Sequence, residues 1–128
     1  MKVFLVNGSP HQHGCTDRAL REVASALEQG GIETEIFWIG SKPIGGCIGC
    51  GACAKLGRCA FDGVVNEFAE KLGEADGFVF GSPVHYAAAS GNMTSFLDRL
   101  FYSASEKMRG KPAAVVVSAR RGGTTAAY

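Results

Sequence analysis

Short apolar runs alternate with stripes of helical period along this chain, and that alternation admits few folds. Residues 2–6 (KVFLV) form a near-continuous apolar run, the pattern of a strand buried on both faces. From Thr16 onward, Leu20, Val23, Ala24 and Leu27 recur at i, i+3, i+4 and i+7, which predicts a helix with one buried stripe, ended by Gly30 and Gly31. Residues 32–39 read as a second strand, rich in branched and aromatic side chains. Val64, Val65, Phe68, Ala69 and Leu72 make the next helical stripe. Residues 77–81 (GFVFG) are a third strand, with Ser82 and Pro83 opening a loop. Met93, Phe96, Leu97, Leu100 and Phe101 mark a third helix, and residues 113–118 (AAVVVS) a fourth strand. Such alternation predicts the α/β class, with a doubly wound parallel sheet covered by helices on both faces.

A length of 128 residues suits a single domain over 1–128. Basic and acidic side chains nearly cancel, at 13 against 12, which argues against a nucleic-acid surface or a membrane patch. The apolar run after Lys2 is too short for a signal-peptide core, and no stretch approaches the length of a bilayer span, so a cytoplasmic protein is expected. In that setting the five cysteines, Cys15, Cys47, Cys50, Cys53 and Cys59, point to metal or redox chemistry over a disulfide framework.

Doubly wound sheets bind ligands beyond the carboxyl ends of their strands, and the loops after strands one, three and four carry binding chemistry. The first runs from Gly8 to Thr16 straight into a helix. It sets hydroxyls and free backbone N–H groups at a helix N-terminus, where a phosphate is favoured. It has neither the lysine motif of nucleotide triphosphatases nor the G-x-G-x-x-G of dinucleotide folds, so a monophosphate fits it better. A plain turn with a helix cap is the alternative. The second loop, Gly81 to Gly91, places His85 and Tyr86 among small residues that could border a flat ring. The third, Ser118 to Thr124, offers glycine amides and the cations Arg120 and Arg121, or simply a solvated turn. Trp38 and the Met93 stripe read as core, and His11 and His13 as solvated or phosphate-adjacent.

Val6-Asn7-Gly8-Ser9-Pro10 with Gly14 and Thr16, Gly81-Ser82-Pro83-Val84-His85-Tyr86, Ser90-Gly91 and Phe96-Leu97-Asp98-Arg99 together resemble the NAD(P)H-dependent FMN reductase superfamily. The resemblance covers essentially the whole chain and implies a flavodoxin-like fold that binds FMN at these three loops. By similarity, Ser9, Gly14, Cys15 and Thr16 would hold the phosphate. Pro83, Val84, His85 and Tyr86 would flank the isoalloxazine from one side, with Ala119, Arg120, Arg121, Gly122 and Gly123 on the other. Members often carry a small polar residue where this chain has Cys15. A flavodoxin-like sheet has five parallel strands in the order 2-1-3-4-5, against four here, so either a last strand and helix are expected beyond Tyr128 in a longer protein, the favoured expectation, or a partner covers the open edge.

Residues 40–62 show no regular period and hold Cys47-x2-Cys50-x2-Cys53-x5-Cys59. Thiolates at consecutive x2 spacings can converge on one small iron–sulfur cluster, whereas structural zinc sites more often pair two knuckles across a longer spacer. Reduced thiols without metal are the third reading. The segment resembles the compact motif of iron–sulfur flavoproteins, a branch of the same superfamily, which implies a [4Fe-4S] cluster on Cys47, Cys50, Cys53 and Cys59 beside the flavin. The function that follows is an FMN-dependent oxidoreductase moving hydride from NAD(P)H to the flavin and on to an acceptor. An electron carrier reduced by a ferredoxin-like partner and a non-enzymatic thiol redox sensor are the rivals. The resemblance also implies a homo-oligomer. No triad or paired carboxylates support hydrolysis, and no residue is read as an essential acid or base.

Overall fold

Strand β1 (Lys2–Asn7) feeds two cores at once. Phe4 and Val6 enter one apolar cluster and Leu5 the other, because successive side chains leave a strand on opposite faces. In the computed structural model, which describes residues 1–128, β1 lies between two parallel neighbours. On one side is β2 (Glu33–Trp38), with Leu5 opposite Ile36. On the other is β3 (Gly77–His85), with Leu5 opposite Val79. A fourth parallel strand, β5 (Ala113–Ser118), pairs with the far edge of β3. The parallel order β2-β1-β3-β5 is the flavodoxin-like order over its first four strands. A two-residue strand, β4 (Ala88–Ala89), turns back antiparallel onto the end of β3.

One expectation is corrected here. The third strand does not end at Gly81; it continues through Ser82 and Pro83, which pair with Val117 and Ser118 of β5. A proline is tolerated because β1 stops at Asn7 opposite Gly81, so β3 has one open edge beyond that point and needs no ladder donor there. The short pattern GFVFG conceals this because Pro83 reads as punctuation.

Helix α1 (Cys15–Gln29) covers one face, packing Leu20 and Ala24 on Leu5 and Val79. It lies very close to the sheet: a side chain at Gly81 would place its Cβ 2.8 Å from Leu20 Cδ1. The other face carries α3 (Val64–Lys71) and α4 (Gly91–Ala104), whose Phe68, Met93, Phe96 and Leu100 join the larger core. Between β2 and α3 the cysteine segment forms a single helical turn, α2 (Cys53–Leu56). A further turn, α5 (Thr124–Ala127), follows the third loop. No helix is long and apolar enough to cross a membrane. Since β1, β3 and β5 run parallel, their carboxyl ends and the loops after them share one edge of the sheet.

Candidate functional site: a cleft at the strand ends and a cysteine-lined cavity

The loop after β1 is held rigid by its own polar groups. Asn7 is fully buried; its Oδ1 accepts from the Ser9 amide at 2.9 Å and its Nδ2 donates to Gln12 O at 3.1 Å. Ser9 Oγ accepts from the His11 amide, and Trp38 Nε1 donates to Ser9 O at 2.8 Å, so Trp38 braces the loop from β2. Gly8 is pinned from both sides, its amide bonded to Gly81 O and its carbonyl accepting from Ser90 Oγ at 2.7 Å. The loop then delivers Gly14 as the N-cap of α1. Glycine has no side chain to cap with, so no side chain caps the first turn, and Gly14, Cys15 and Thr16 border the cleft. An uncapped helix end of this kind is what a phosphate dianion satisfies. Asp17, 5% exposed in the same turn, would oppose an anion, but Arg21 Nε lies 2.8 Å from its carboxylate and His13 at 3.5 Å.

The other two loops close on the first. Thr16 Oγ1 and Ser118 Oγ lie 3.0 Å apart, tying the end of β5 to the start of α1. The cleft between them, of about 370 Å³, is bordered by Ser9, Cys15, Thr16, Val84, His85 and Arg120 among others. Sharing Val84 and Arg120, a second hollow of about 600 Å³ extends it past Tyr86, Arg121 and Gly122. Gly123, at φ +95°, packs so near the hairpin that a Cβ there would sit 3.2 Å from Ala87 Cα. Every residue expected to hold FMN except Gly123 borders one or both of these adjoining hollows, and Gly123 packs beside them against Val84 and Ala87.

Tyr86 and Ala87 form the two-residue turn between β3 and β4, both with positive φ, 51° and 61°. That is the primed hairpin geometry, which favours glycine or asparagine. With two L side chains there the turn is strained, and it projects the Tyr86 ring fully into solvent beside the cleft. Ala87→Gly removes the steric cost at one position and is expected to raise stability by about 1 kcal/mol, read as a higher midpoint in thermal melting. An unchanged or lower midpoint contradicts the strain.

The cysteine segment builds a second hollow on the α4 side. Cys47, Cys50, Cys53 and Cys59 all line one cavity of about 130 Å³, together with Arg99 and Tyr102. Three polar side chains staple the segment to the helices below. Asn92 accepts from the Ile44 amide and donates to Lys42 O. Asn66 accepts from the Cys59 amide and donates to Cys59 O and Phe61 O. Arg99 bonds Cys59 Sγ, Gly45 O and Phe61 O. No three of the sulfurs lie close enough to share a single metal ion. Four cysteines around an apolar cavity are a donor set that an iron–sulfur cluster and a structural zinc both use.

Burial pushes the Cys59 thiol up, but the Phe61 backbone, the Arg99 hydrogen bond and the charges of Arg99 and Arg58 outweigh it, leaving Cys59 below the ordinary thiol value. A lowered pKa means the folded loop prefers the thiolate. That contribution is complete above the ordinary thiol range and is lost as pH falls through the folded value. In the reduced, metal-free chain, alkylation of Cys59 by iodoacetamide is expected to persist at pH values where a free thiol has stopped reacting, as read by peptide mass mapping. A profile no lower than that of a free thiol contradicts the arrangement.

Sequence reasoning did not anticipate Asn66, Asn92 and Arg99 as supports of the cysteine loop. One signal was available: Asn66 interrupts an apolar helical stripe yet is 6% exposed, and a buried polar residue in such a stripe needs a partner. Arg99 lay within a motif that carried the family resemblance, but nothing in the spacing aimed it at the cysteines.

Comparison with known proteins comes to the same architecture. The family model described as NADPH-dependent FMN reductase matches residues 1–128. An iron-sulfur flavoprotein of Methanocaldococcus jannaschii is 36% identical, the match covering 96% of this chain and 65% of that protein. One from Archaeoglobus fulgidus is 33% identical, covering 87% and 51%. The chain thus spans about half to two thirds of the length of these relatives. Among solved structures, RosB with a bound 8-demethyl-8-formylriboflavin-5'-phosphate superposes with a TM-score of 0.77 at 17% identity, over 99% of this chain and 55% of that one. The NAD(P)H:quinone oxidoreductase from Methanothermobacter marburgensis gives 0.66 at 19%, over 93% and 66%. At those identities the likeness speaks to fold alone.

Proposed function

This chain belongs to the NADPH-dependent FMN reductase family, and from that membership we propose that it is an FMN-dependent oxidoreductase passing electrons between NAD(P)H and an acceptor. The observation that carries the proposal is the convergence of three loops on one cleft whose inner end is an uncapped helix N-terminus. The amides of Gly14, Cys15 and Thr16, with the Ser9 and Thr16 hydroxyls, would receive the FMN phosphate. Pro83, Val84, His85 and Tyr86 would lie along the isoalloxazine on one side, and Ala119, Arg120, Arg121, Gly122 and Gly123 on the other. Bound there, FMN supplies hydride and single-electron chemistry. The protein's part is to fix the ring, exclude water with Pro83 and Val84, and offer the Arg120 and Arg121 cations to anionic groups nearby. Anaerobic mixing of the FMN-loaded chain with NADPH or NADH tests this: the visible flavin bands should bleach. Full retention of those bands with both nucleotides would remove the nucleotide-linked reading.

A second reading is favoured by the cavity that all four segment cysteines line. In it Cys47, Cys50, Cys53 and Cys59 hold a [4Fe-4S] cluster, whose chemistry is single-electron transfer, and the chain is a carrier fed by a ferredoxin-like donor. Ile48, Leu56 and Tyr102, apolar or aromatic and exposed, lie in or beside that segment and would meet such a donor or a second copy of the chain. Bleaching by reduced ferredoxin that outpaces bleaching by NADPH would select this reading.

A further inference from the structure

We propose that Arg99 is a positioning residue for the cysteine cavity: it fixes the Cys59 sulfur within the donor set and raises the reduction potential of a cluster held there. The inference rests on the cluster reading above.

Arg99 is an unusual arginine. It is 8% exposed and sits on α4, between the core-facing Phe96 and Leu100 on one side and the cysteine segment on the other. An arginine so buried is ordinarily compensated by a carboxylate. Here the partners are Cys59 Sγ at 3.4 Å, Gly45 O at 3.3 Å and Phe61 O at 2.6 Å. Two carbonyls satisfy its donors but not its charge. The compensating anion that the cavity can provide is thiolate, and the guanidinium already touches one of the four sulfurs. Its fork also spans the segment, joining Gly45, ahead of the first cysteine, to Cys59 and Phe61 at the far end. One planar side chain thereby closes the loop and sets a cation against the donor set, which a lysine, as a point charge, does only in part.

The redox consequence follows from charge. In a one-electron reduction of a thiolate-bound cluster, no bond forms or breaks and the net negative charge rises by one. The electron comes from the reduced flavin, from a ferredoxin-like donor, or in a titration from dithionite. A buried cation in contact with a ligand sulfur favours the more negative state, so it makes reduction easier. Arg58, the other arginine near Cys59, is about half exposed and already paired with Asp62, and solvent screens it.

The test compares wild type with Arg99→Gln, Arg99→Lys and Arg58→Gln, each reconstituted anaerobically with ferrous iron and sulfide. Iron and sulfide content, FMN content, circular dichroism and the cluster midpoint by paramagnetic-resonance redox titration are the readouts. Arg99→Gln is expected to keep FMN and fold. It should either lose iron or titrate at a lower potential, with the reduction constant down about tenfold, about 59 mV for one electron. Arg99→Lys should recover most of the potential, and Arg58→Gln should match wild type. Arg99→Gln that equals wild type in iron and midpoint overturns the inference while leaving the cluster reading intact. So does Arg99→Lys behaving as Arg99→Gln, or Arg99→Gln losing FMN and native dichroism together, which would make Arg99 a general structural residue. A wild-type chain that takes up no iron removes the cluster reading, and the inference with it.

Discussion

Phe68→Ala is expected to destabilise this protein by about 3–5 kcal/mol, the range for emptying a fully buried phenylalanine site. Phe68 is 0% exposed and its ring meets Phe37 at 5.0 Å, Phe96 at 5.6 Å and Phe4 at 5.9 Å between centroids. It is thus the point where α3 and α4 join β1 and β2. Truncation removes apolar burial and three aromatic contacts together, and the rings around it, fixed by separate elements, cannot easily collapse inward. Against a total stability of about 5–15 kcal/mol the loss is severe. Thermal melting should show a fall on the order of 12–20 °C. The half-exposed Phe101, whose ring pairs with one other aromatic, Phe80, provides the contrast: Phe101→Ala should cost about 1 kcal/mol. Equal losses for the two would mean that the aromatic cluster is not the centre of the core.

Cys15→Asp separates folding from binding. Cys15 is exposed and is the first residue of α1, a position where an acidic side chain favours the helix dipole. The variant should therefore melt no lower than wild type. The same carboxylate would stand at the place assigned to the FMN phosphate. Two like charges about 4 Å apart at a partly screened site repel by on the order of 3 kcal/mol, so FMN affinity should fall about a hundredfold, measured by quenching of flavin fluorescence. Cys15→Ser, close in shape and uncharged, should retain FMN. If Cys15→Asp binds FMN as wild type does, the phosphate does not sit at the start of α1.

Much of this layout was legible in the sequence. The four parallel strands and three main helices follow from two apolar periods. The extension of β3 through Pro83 was hidden because strand continuation there depends on where β1 stops, at Asn7 opposite Gly81, a fact about a neighbour 74 residues away in sequence rather than about local residues. The left-handed Tyr86–Ala87 turn was equally invisible, since neither residue type advertises positive φ. For the cysteine segment, spacing raised the expectation that thiolates converge and the resemblance added the fourth, and all four cysteines line one cavity although no three sulfurs are near enough to share an ion. What spacing could not reveal was most of the support: Asn92 and Arg99 reach back from a helix about 40–50 residues downstream and declare themselves only through tertiary hydrogen bonds, whereas Asn66, seven residues from Cys59, left a trace as a polar residue in an apolar stripe.

Helix α4 links the two sites. Ser90 caps it while holding Gly8 beneath the first loop, and seven residues past Asn92, on the same face, Arg99 holds the cysteine segment. One rigid element thus positions both the candidate flavin cleft and the candidate cluster cavity, as electron exchange between them would require.

The most direct test of the account is the absorption spectrum of the anaerobically purified protein, with FMN, iron and sulfide assayed on the same sample. The account predicts the two-band spectrum of bound flavin over a broad iron–sulfur background that dithionite bleaches. A colourless protein that takes up neither FMN nor iron on reconstitution would contradict it.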